Sequence, residues 1–278
     1  MLVTSKLYLE QARNKGFALP HFNYWDSNSI RAELAAAEKL NLPVILAWAQ
    51  KHSAEINIYD ALALGKYYGE KASVPVILHL DHGTDPDLVK WGAANGFTSV
   101  MIDASDKSFE ENVATTKSIV EYAHQRGVNV EAEIGHVGTN STEDNSNYTE
   151  VDAATAFQNE TQVDSLAVSI GTSHGVYKHH GIPKLNFERL QALREALNIP
   201  LVLHGGSSSG DENLTKTVEL GVTKVNIYTD LANISLKAAQ EKPFENEPEM
   251  AEHQRDEIQN LAEHYFGVFK TNKYQYGD

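Results

Sequence analysis

The chain has 278 residues, of which 41% are hydrophobic and none is cysteine, and its net charge is −15. This length is ordinary for one α/β barrel, whereas the acidic balance argues against a nucleic-acid partner and the lack of cysteine against disulfides or thiolate chemistry. Because no apolar run is long enough for a membrane span or a secretory signal, we expect a cytoplasmic enzyme with no membrane partner, acting on a small molecule.

Short apolar runs alternate with amphipathic segments along the chain. Eight runs are predicted as strands: Ala18–Asn23, Pro43–Ala49, Pro75–Asp81, Ser99–Ser105, Asn129–Val137, Ser165–Thr172, Pro200–Gly205 and Lys224–Asp230. Segments with apolar residues at intervals of three and four lie between the strands and are predicted as helices, for example Asn28–Lys39, Ala61–Lys71, Phe109–Arg126, Asn186–Leu197 and Asp211–Leu220. Strands and helices in this alternation predict a single (β/α)8 TIM barrel, an α/β fold, spanning residues 1–278.

Two segments lie outside the eight units. Ser5–Asn14 is predicted as an N-terminal helix that plugs the bottom of the barrel, and Glu247–Gly267 as one or two appended C-terminal helices. Residues 271–278 look like a loose tail. The polar stretch Gly138–Tyr148 follows strand five and is predicted as a long loop at the catalytic end.

Barrel enzymes carry their chemistry at the carboxyl ends of the strands. In this chain those ends carry acids, amides and histidines: Asn23, Asp81, His82, Asp103, Glu133, His174, His204 and Asn226. A lone histidine is more often a hydrogen-bonded core or surface residue than a ligand. Three at strand ends, each followed by glycine, instead favour a zinc site with one position open for substrate.

A phosphate site is predicted at the last two strand ends. The small residues of His204–Leu214 let backbone N–H groups approach an anion at the start of a helix. Asn226–Leu231 offers a second turn, with Thr229 as a donor. Barrels commonly bind phosphate at these two loops together.

Six motifs, in order over nearly the whole chain, carry a resemblance to a known family. They are HLDHG (His79–Gly83), DASDKSFEEN (Asp103–Asn112), EAEIGHVG (Glu131–Gly138), DSLAVSIGTSHGVYK (Asp164–Lys178), LVLHGGS (Leu201–Ser207) and KVNIYTD (Lys224–Asp230). Together they resemble the zinc-dependent class II ketose-bisphosphate aldolases, and HFNYWD (His21–Asp26) resembles less-studied members of that family. The resemblance implies a homodimer or homotetramer.

Residue roles follow from this resemblance. It implies that His82, His174 and His204 bind zinc, and that Asp81 exchanges a proton with the aldehyde or hydroxyl oxygen. The residues implied for dihydroxyacetone phosphate and the rest of the substrate are Asn23, Gly175, Lys178, Gly205, Gly206, Ser207, Asn226 and Thr229. Asp103 and Glu133 either hold a second ion or support the histidines, and we favour support. A monovalent cation such as Na⁺ or K⁺ has a place near the phosphate.

The reaction itself favours a metal. Cleavage of a carbon–carbon bond beside a carbonyl leaves an enediolate, whose charge a Lewis acid can neutralise. Schiff-base aldolases use a lysine, but no predicted strand end carries one, and Lys224 enters strand eight at the opposite end. The proton on carbon needs a separate base. Glu143 in the loop after strand five is the nearest candidate, and a solvated acid with no role is an equal alternative.

Two departures from the family concern the aldehyde half of the substrate. Where the family usually has Asp–Pro–Arg, whose arginine grips a distal phosphate, this chain has Glu247–Pro248–Glu249. A common serine after strand two is replaced by Ala49. The aldehyde is therefore expected to be unphosphorylated, or to be recognised by another cation such as Arg255.

Two other functions stay open at this point. A metal-dependent TIM-barrel hydrolase often has a His-x-His pair on strand one, where this chain has His21 and Asn23. A non-catalytic sugar-phosphate-binding barrel would not need Asp81 and three intact ligands.

Overall fold

A computed structural model describes residues 1–135, 148–173, 175 and 181–276. Eight parallel strands form a closed barrel in chain order, and β8 pairs with β1. The strands are β1 Leu19–Asn23, β2 Val44–Ala49, β3 Val76–Gly83, β4 Ser99–Ile102, β5 Asn129–Ile134, β6 Ser165–Val168, β7 Leu201–Leu203 and β8 Val222–Ile227. The predicted TIM barrel is thereby confirmed.

Helices surround the barrel and close its lower end. They are α1 Lys6–Lys15, α2 Ser27–Leu40, α3 Ile58–Lys71, α4 Pro86–Asn95, α5 Phe109–His124, α6 Val151–Thr161, α7 Phe187–Ala196, α8 Asp211–Glu219, α9 Thr229–Ala238 and α10 Glu247–Val268, with short 3-10 helices at Gln50–His52 and Thr271–Lys273. In the part of the chain that the structure describes, no helix combines the length and the apolar character that a bilayer crossing requires.

Three helices, α4, α6 and α9, were not given bounds from the sequence. In α4 the interior Gly92 weakens the helical signal, yet a Cβ there would lie 2.7 Å from Leu80 Cδ1, so glycine allows α4 to pack closely on β3. Helix α9 begins at Thr229, only two residues after β8 ends, so its first turn was assigned to the strand.

The C-terminal prediction needs correction. Glu247–Val268 is one helix, and residues 271–276 are not loose. Thr271 is fully buried and donates a hydrogen bond from Oγ1 to the Ala18 carbonyl at 2.7 Å. Tyr274 stacks on Tyr8 of α1, with ring centroids 5.9 Å apart. The tail therefore reinforces the closed bottom of the barrel.

The bottom of the barrel is apolar, as the predicted plug helix requires. Leu9 and Ala12 of α1 pack with Phe17 and with inward-facing strand residues, including Leu19 and Ile77. Above this layer the interior becomes polar. His21, His79, Glu131 and Lys224 are each no more than 1% exposed, where most barrels place branched apolar residues. This polar layer lies directly beneath the strand ends that carry the candidate site.

Candidate active site

The end of β3 places two consecutive side chains at the barrel mouth. In a regular strand Asp81 and His82 would face opposite sides. Here the β3–β4 register shifts between Leu80 and Gly83, and His82 has a φ of 47°. A Cβ at Gly83 would lie 2.3 Å from Val89 Cγ2 and 2.7 Å from the Met101 carbonyl, so only glycine fits after this irregularity. The irregularity brings ligand atoms of Asp81, His82 and His204 within 4.8 Å of one another.

Each of these two histidines is held by an acid. His82 Nδ1 lies 2.9 Å from Asp103 Oδ2, and His204 Nε2 lies 3.0 Å from Glu131 Oε1. A carboxylate can only accept, so each of these ring nitrogens donates its proton. A histidine fixed through one nitrogen coordinates a metal through the other. The two rings lie 4.5 Å apart between centroids, which is close enough to share one ion.

Further acids stand next to the two rings. Glu133 Oε2 lies 3.3 Å from His204 Nδ1, and ligand atoms of Asp103 and Glu133 lie within 4.8 Å of one in His82. Burial disfavours the charge of Asp103, but the hydrogen bond from His82 outweighs it and keeps the Asp103 pKa below its usual range. Burial would likewise lower the pKa of His204, yet its hydrogen bonds with Glu131 and Glu133 raise it to about 9.

Asp81 is held as a carboxylate by three neighbours. Asn23 Nδ2 donates to Oδ2 at 3.0 Å, and Asn226 Nδ2 donates to Oδ1 at 3.2 Å. His21 Nε2 lies 3.5 Å from Oδ2. Burial alone would raise the pKa of Asp81, but His82 and His21 lower it well below its usual range. Two residues predicted to bind substrate, Asn23 and Asn226, are therefore in contact with the predicted acid–base residue.

The donor set fits a divalent metal ion. Two imidazoles, each oriented by an acid, meet a buried carboxylate at the mouth, and two more acids stand beside them. The third predicted ligand, His174, lies outside the described residues, as do Glu143 and Lys178. A deeper group of His21, His79 and Asp81 could also surround an ion. Burial is the main cause that lowers the pKa of His21 and His79, and the positive charge of Lys224 is the second. The same charge would repel a metal cation from this deeper group.

The predicted phosphate loop lies beside the end of β8. Gly205 has a φ of 66°, and a Cβ on it would lie 2.6 Å from the Ser173 carbonyl. The Ser207 Oγ accepts the N–H groups of Tyr228 and Asp230, each at 3.3 Å. The two loops are therefore linked at the N-terminus of α9, where helix N–H groups favour an anion. Thr229 is the first residue of that helix, and Gly175, with a φ of 92°, follows β6.

Asp230 places a carboxylate next to both loops. Asp230 Oδ2 accepts the Ser208 N–H at 2.9 Å and the Tyr265 hydroxyl at 2.5 Å. These two bonds restrain the carboxylate and use one N–H of the loop.

The residues that mark the departures from the family lie on α10. Glu249 accepts from the Glu245 N–H at 2.9 Å and lies 3.3 Å from Lys242 Nζ. Arg255 Nη1 donates to Asn28 Oδ1 at 2.9 Å, at the start of α2.

The polar layer beneath the mouth was missed from the sequence, although the sequence contains a signal for it. Each member stands two residues before a strand-end residue: His21 before Asn23, His79 before Asp81, Glu131 before Glu133 and Lys224 before Asn226. Residues two apart in a strand face the same side. A polar residue at that spacing inside an apolar run therefore indicates a second polar layer.

Comparisons with known proteins agree with this geometry. The model of the family "Fructose-bisphosphate aldolase class-II" matches residues 3–273. The Escherichia coli K12 protein named "Uncharacterized protein YdjI" is 38% identical over 251 residues, which cover 88% of this chain and 90% of that protein. The crystal structure of the YdjI aldolase from the same organism has a TM-score of 0.90 at 33% identity and covers 98% of both chains.

A second solved structure extends the similarity. The fructose-bisphosphate aldolase of Campylobacter jejuni has a TM-score of 0.82 at 25% identity, covering 98% of this chain and 97% of that one. The family model spans nearly the whole barrel, including every described strand end discussed above. This chain belongs to the class II fructose-bisphosphate aldolase family.

Proposed function

We propose that this protein is a zinc-dependent aldolase that reversibly cleaves a ketose 1-phosphate into dihydroxyacetone phosphate and an aldehyde. The observation that carries the proposal is the convergence of Asp81, His82 and His204 within 4.8 Å at the barrel mouth. His82 and His204 are each oriented by an acid. His174, which lies between them in the order of the motifs, would complete a set of three donors that suits zinc.

The protein's residues divide the work of the reaction. His82 and His204, with His174, would hold the ion, which supplies a Lewis acid where negative charge develops on the substrate oxygens. Asp81, held by Asn23 and Asn226, would take the hydroxyl proton during cleavage and return it during condensation. The loops after β7 and β8 would hold the phosphate, through Gly205, Gly206, Ser207 and the first turn of α9.

Glu249 supports an unphosphorylated aldehyde. It stands where the family usually has an arginine for the distal phosphate, and a carboxylate repels phosphate. Its bonds to Lys242 and the Glu245 N–H keep it ionised, since both lower its pKa.

A substrate screen tests the proposed function. Ketose 1-phosphates and matched 1,6-bisphosphates are assayed for release of dihydroxyacetone phosphate, with and without a chelator. We expect release that the chelator abolishes, that zinc restores, and that His204→Ala lowers at least a thousandfold. His124→Ala, an exposed histidine that ends α5, is the matched control and should retain activity.

Three results would contradict the proposal. Cleavage that resists the chelator would argue against a metal. Absence of turnover with every ketose phosphate would instead support a non-catalytic sugar-phosphate-binding protein. A higher kcat/KM for the bisphosphate would refute the unphosphorylated aldehyde alone.

A further inference from the structure

The proposed function leaves the aldehyde half of the substrate without a binding site. The proposed phosphate loops lie after β7 and β8, and the described candidate ligands, His82 and His204, come from the ends of β3 and β7. Asp81 lies near the end of β3, in register with Ala49 at the end of β2. Because cleavage separates the aldehyde from the phosphate-bearing half, the aldehyde extends away from the phosphate loops and past Asp81. It therefore reaches the arc above β1 and β2, and this step rests on the proposed aldolase function.

Three rings lie over that arc and its border with β8, and we refer to them as the aromatic rim: Trp25, His52 and Tyr228. Trp25 follows β1, His52 ends the 3-10 helix after β2, and Tyr228 follows β8. The His52 and Tyr228 rings lie 4.1 Å apart between centroids, and Trp25 meets Tyr228 edge to face at 5.9 Å. The loops after three neighbouring strands, β8, β1 and β2, thus place these rings in one cluster.

The aromatic rim is continuous with the catalytic residues. The Tyr228 N–H donates to Ser207 Oγ in the phosphate loop. His52 lies close enough to Asp81 and His82 for both of their charges to act on its pKa, which burial and Lys51 lower. Ala49, the last residue of β2, is in register with Asp81 and begins the short loop that leads to His52.

His52 also has unused hydrogen-bonding capacity. Its side chain belongs to a residue only 6% exposed, and its Nδ1 has no hydrogen-bond partner among the described residues. A buried polar atom of this kind at an active-site mouth is suited to a ligand hydroxyl. Trp25 and Tyr228 are only half-buried, so ring surface remains accessible beside it.

We propose that the aromatic rim is the binding site for the aldehyde half of the substrate and takes an uncharged, polyhydroxylated aldehyde. The C–H faces of such a chain pack on the rings of Trp25 and Tyr228, and a hydroxyl hydrogen-bonds to His52. A phosphate would find neutral rings there and, near Tyr228, the carboxylate of Glu55, which helps to raise the Tyr228 pKa. Lys51 is the exposed cation next to His52 and is the residue that an anionic aldehyde would use.

Condensation kinetics test this assignment. Dihydroxyacetone phosphate is paired with glyceraldehyde, with erythrose or with glyceraldehyde 3-phosphate, and kcat and KM are measured for each component. We expect a higher kcat/KM for the uncharged aldehydes. Trp25→Leu and His52→Leu should each raise their KM about tenfold and change the KM of dihydroxyacetone phosphate less than twofold. His52→Gln, which keeps a donor and an acceptor, should recover part of the loss.

Matched controls and a direct binding measurement accompany the kinetics. Tyr67→Leu, an exposed aromatic residue near the end of α3, should change nothing. Erythrose should change the tryptophan fluorescence of the wild type, and this change should be lost in Trp25→Leu, which keeps Trp48 and Trp91.

Two outcomes would overturn the assignment while the aldolase function stands. One is an equal loss for the aldehyde and for dihydroxyacetone phosphate, which indicates a structural role. The other is a preference for glyceraldehyde 3-phosphate that Lys51→Met removes. Absence of condensation with every aldehyde, together with unchanged tryptophan fluorescence, would reject both the function and the site.

Discussion

At the scale of single residues, Lys224 is the most consequential side chain outside the predicted site. Its Nζ lies 2.8 Å from Glu131 Oε1, the same oxygen that accepts from His204 Nε2. Burial would raise the pKa of Glu131, but Lys224 outweighs it and holds that pKa below its usual range. The ionised acid then fixes Nε2 as a donor to Glu131, so that Nδ1 is the nitrogen that would bind a metal in exchange for its proton.

Lys224→Met should therefore weaken metal binding as well as the fold. It leaves the charge of Glu131 buried without its cation, which costs about 3–5 kcal/mol, and it loosens His204, which should weaken zinc affinity about 10–100-fold. Denaturant unfolding and chelator competition measure the two effects.

Lys216→Met on α8 is the control. The double variant Lys224→Met/Glu131→Gln should recover stability but not zinc affinity, and unchanged zinc affinity in Lys224→Met would contradict the positioning role.

The same residues show what could be predicted of the site. Asp81, His82 and His204 were predicted because strand ends in a barrel converge. The pairing of Lys224 with Glu131 could not be predicted. The alternation of side chains along a strand shows which residues face the barrel interior, but not which of them meet across it. The inward turn of His82 depends on a positive φ, which only the packing around Gly83 explains.

At the scale of elements, α2 carries an unusual buried acid. Glu33 is fully buried, and neither carboxylate oxygen has a hydrogen-bond partner among the described residues. Burial, and then the charge of Asp26, raise its pKa well above the ordinary value. An acid whose pKa is raised by folding makes a contribution to stability that is fully present below the pKa it has in the unfolded chain. That contribution is lost as the pH rises toward the pKa it has in the folded protein.

Glu33→Gln should therefore stabilise the protein at alkaline pH and make little difference at acid pH. At pH 8 we expect a gain of about 1–3 kcal/mol in the free energy of unfolding, because no charge must be buried or neutralised. Thermal unfolding between pH 5 and pH 8 measures it, with exposed Glu70→Gln as the control. A difference that stays constant across this range would show that Glu33 does not titrate with folding.

The C-terminal tail illustrates why some elements were mispredicted. Residues 271–278 lack periodicity and are polar, which indicated a loose end. Tyrosines, however, can bury a ring although they carry a polar hydroxyl, and Tyr274 packs its ring against Tyr8 and Phe17.

Removing residues 271–278 should cost stability without removing activity. The deletion loses the Thr271 hydrogen bond and the Tyr274 ring contacts, for a total of about 2–4 kcal/mol. Urea unfolding, paired with the aldolase assay on the folded fraction, measures both effects. A deletion of residues 277–278 alone is the control. Unchanged stability after removal of residues 271–278 would show that the tail does not stabilise the barrel.

At the scale of the whole molecule, the barrel separates stability from chemistry along its axis. The lower end is closed by apolar packing of α1 and the tail, the middle is a buried layer of polar and charged side chains, and the mouth carries the candidate metal ligands and the aromatic rim. This division follows from a barrel in which catalysis lies at the carboxyl ends. The alternation of strands and helices was enough to predict it, whereas the polar middle layer depends on contacts between residues far apart in the sequence.

Metal removal tests that division directly. A ligand that binds only the folded protein stabilises it by about 2.7 kcal/mol at a hundredfold excess over its Kd. We expect zinc to raise the Tm of chelator-treated protein and to restore aldol cleavage at the same concentrations. The shift should vanish in His204→Ala and shrink in Lys224→Met. The variant lacking residues 271–278 should keep the full shift from a lower starting Tm, because its lost contacts lie at the opposite end. If that truncation abolished the zinc response, the two ends of the barrel would be energetically coupled and the division would be wrong.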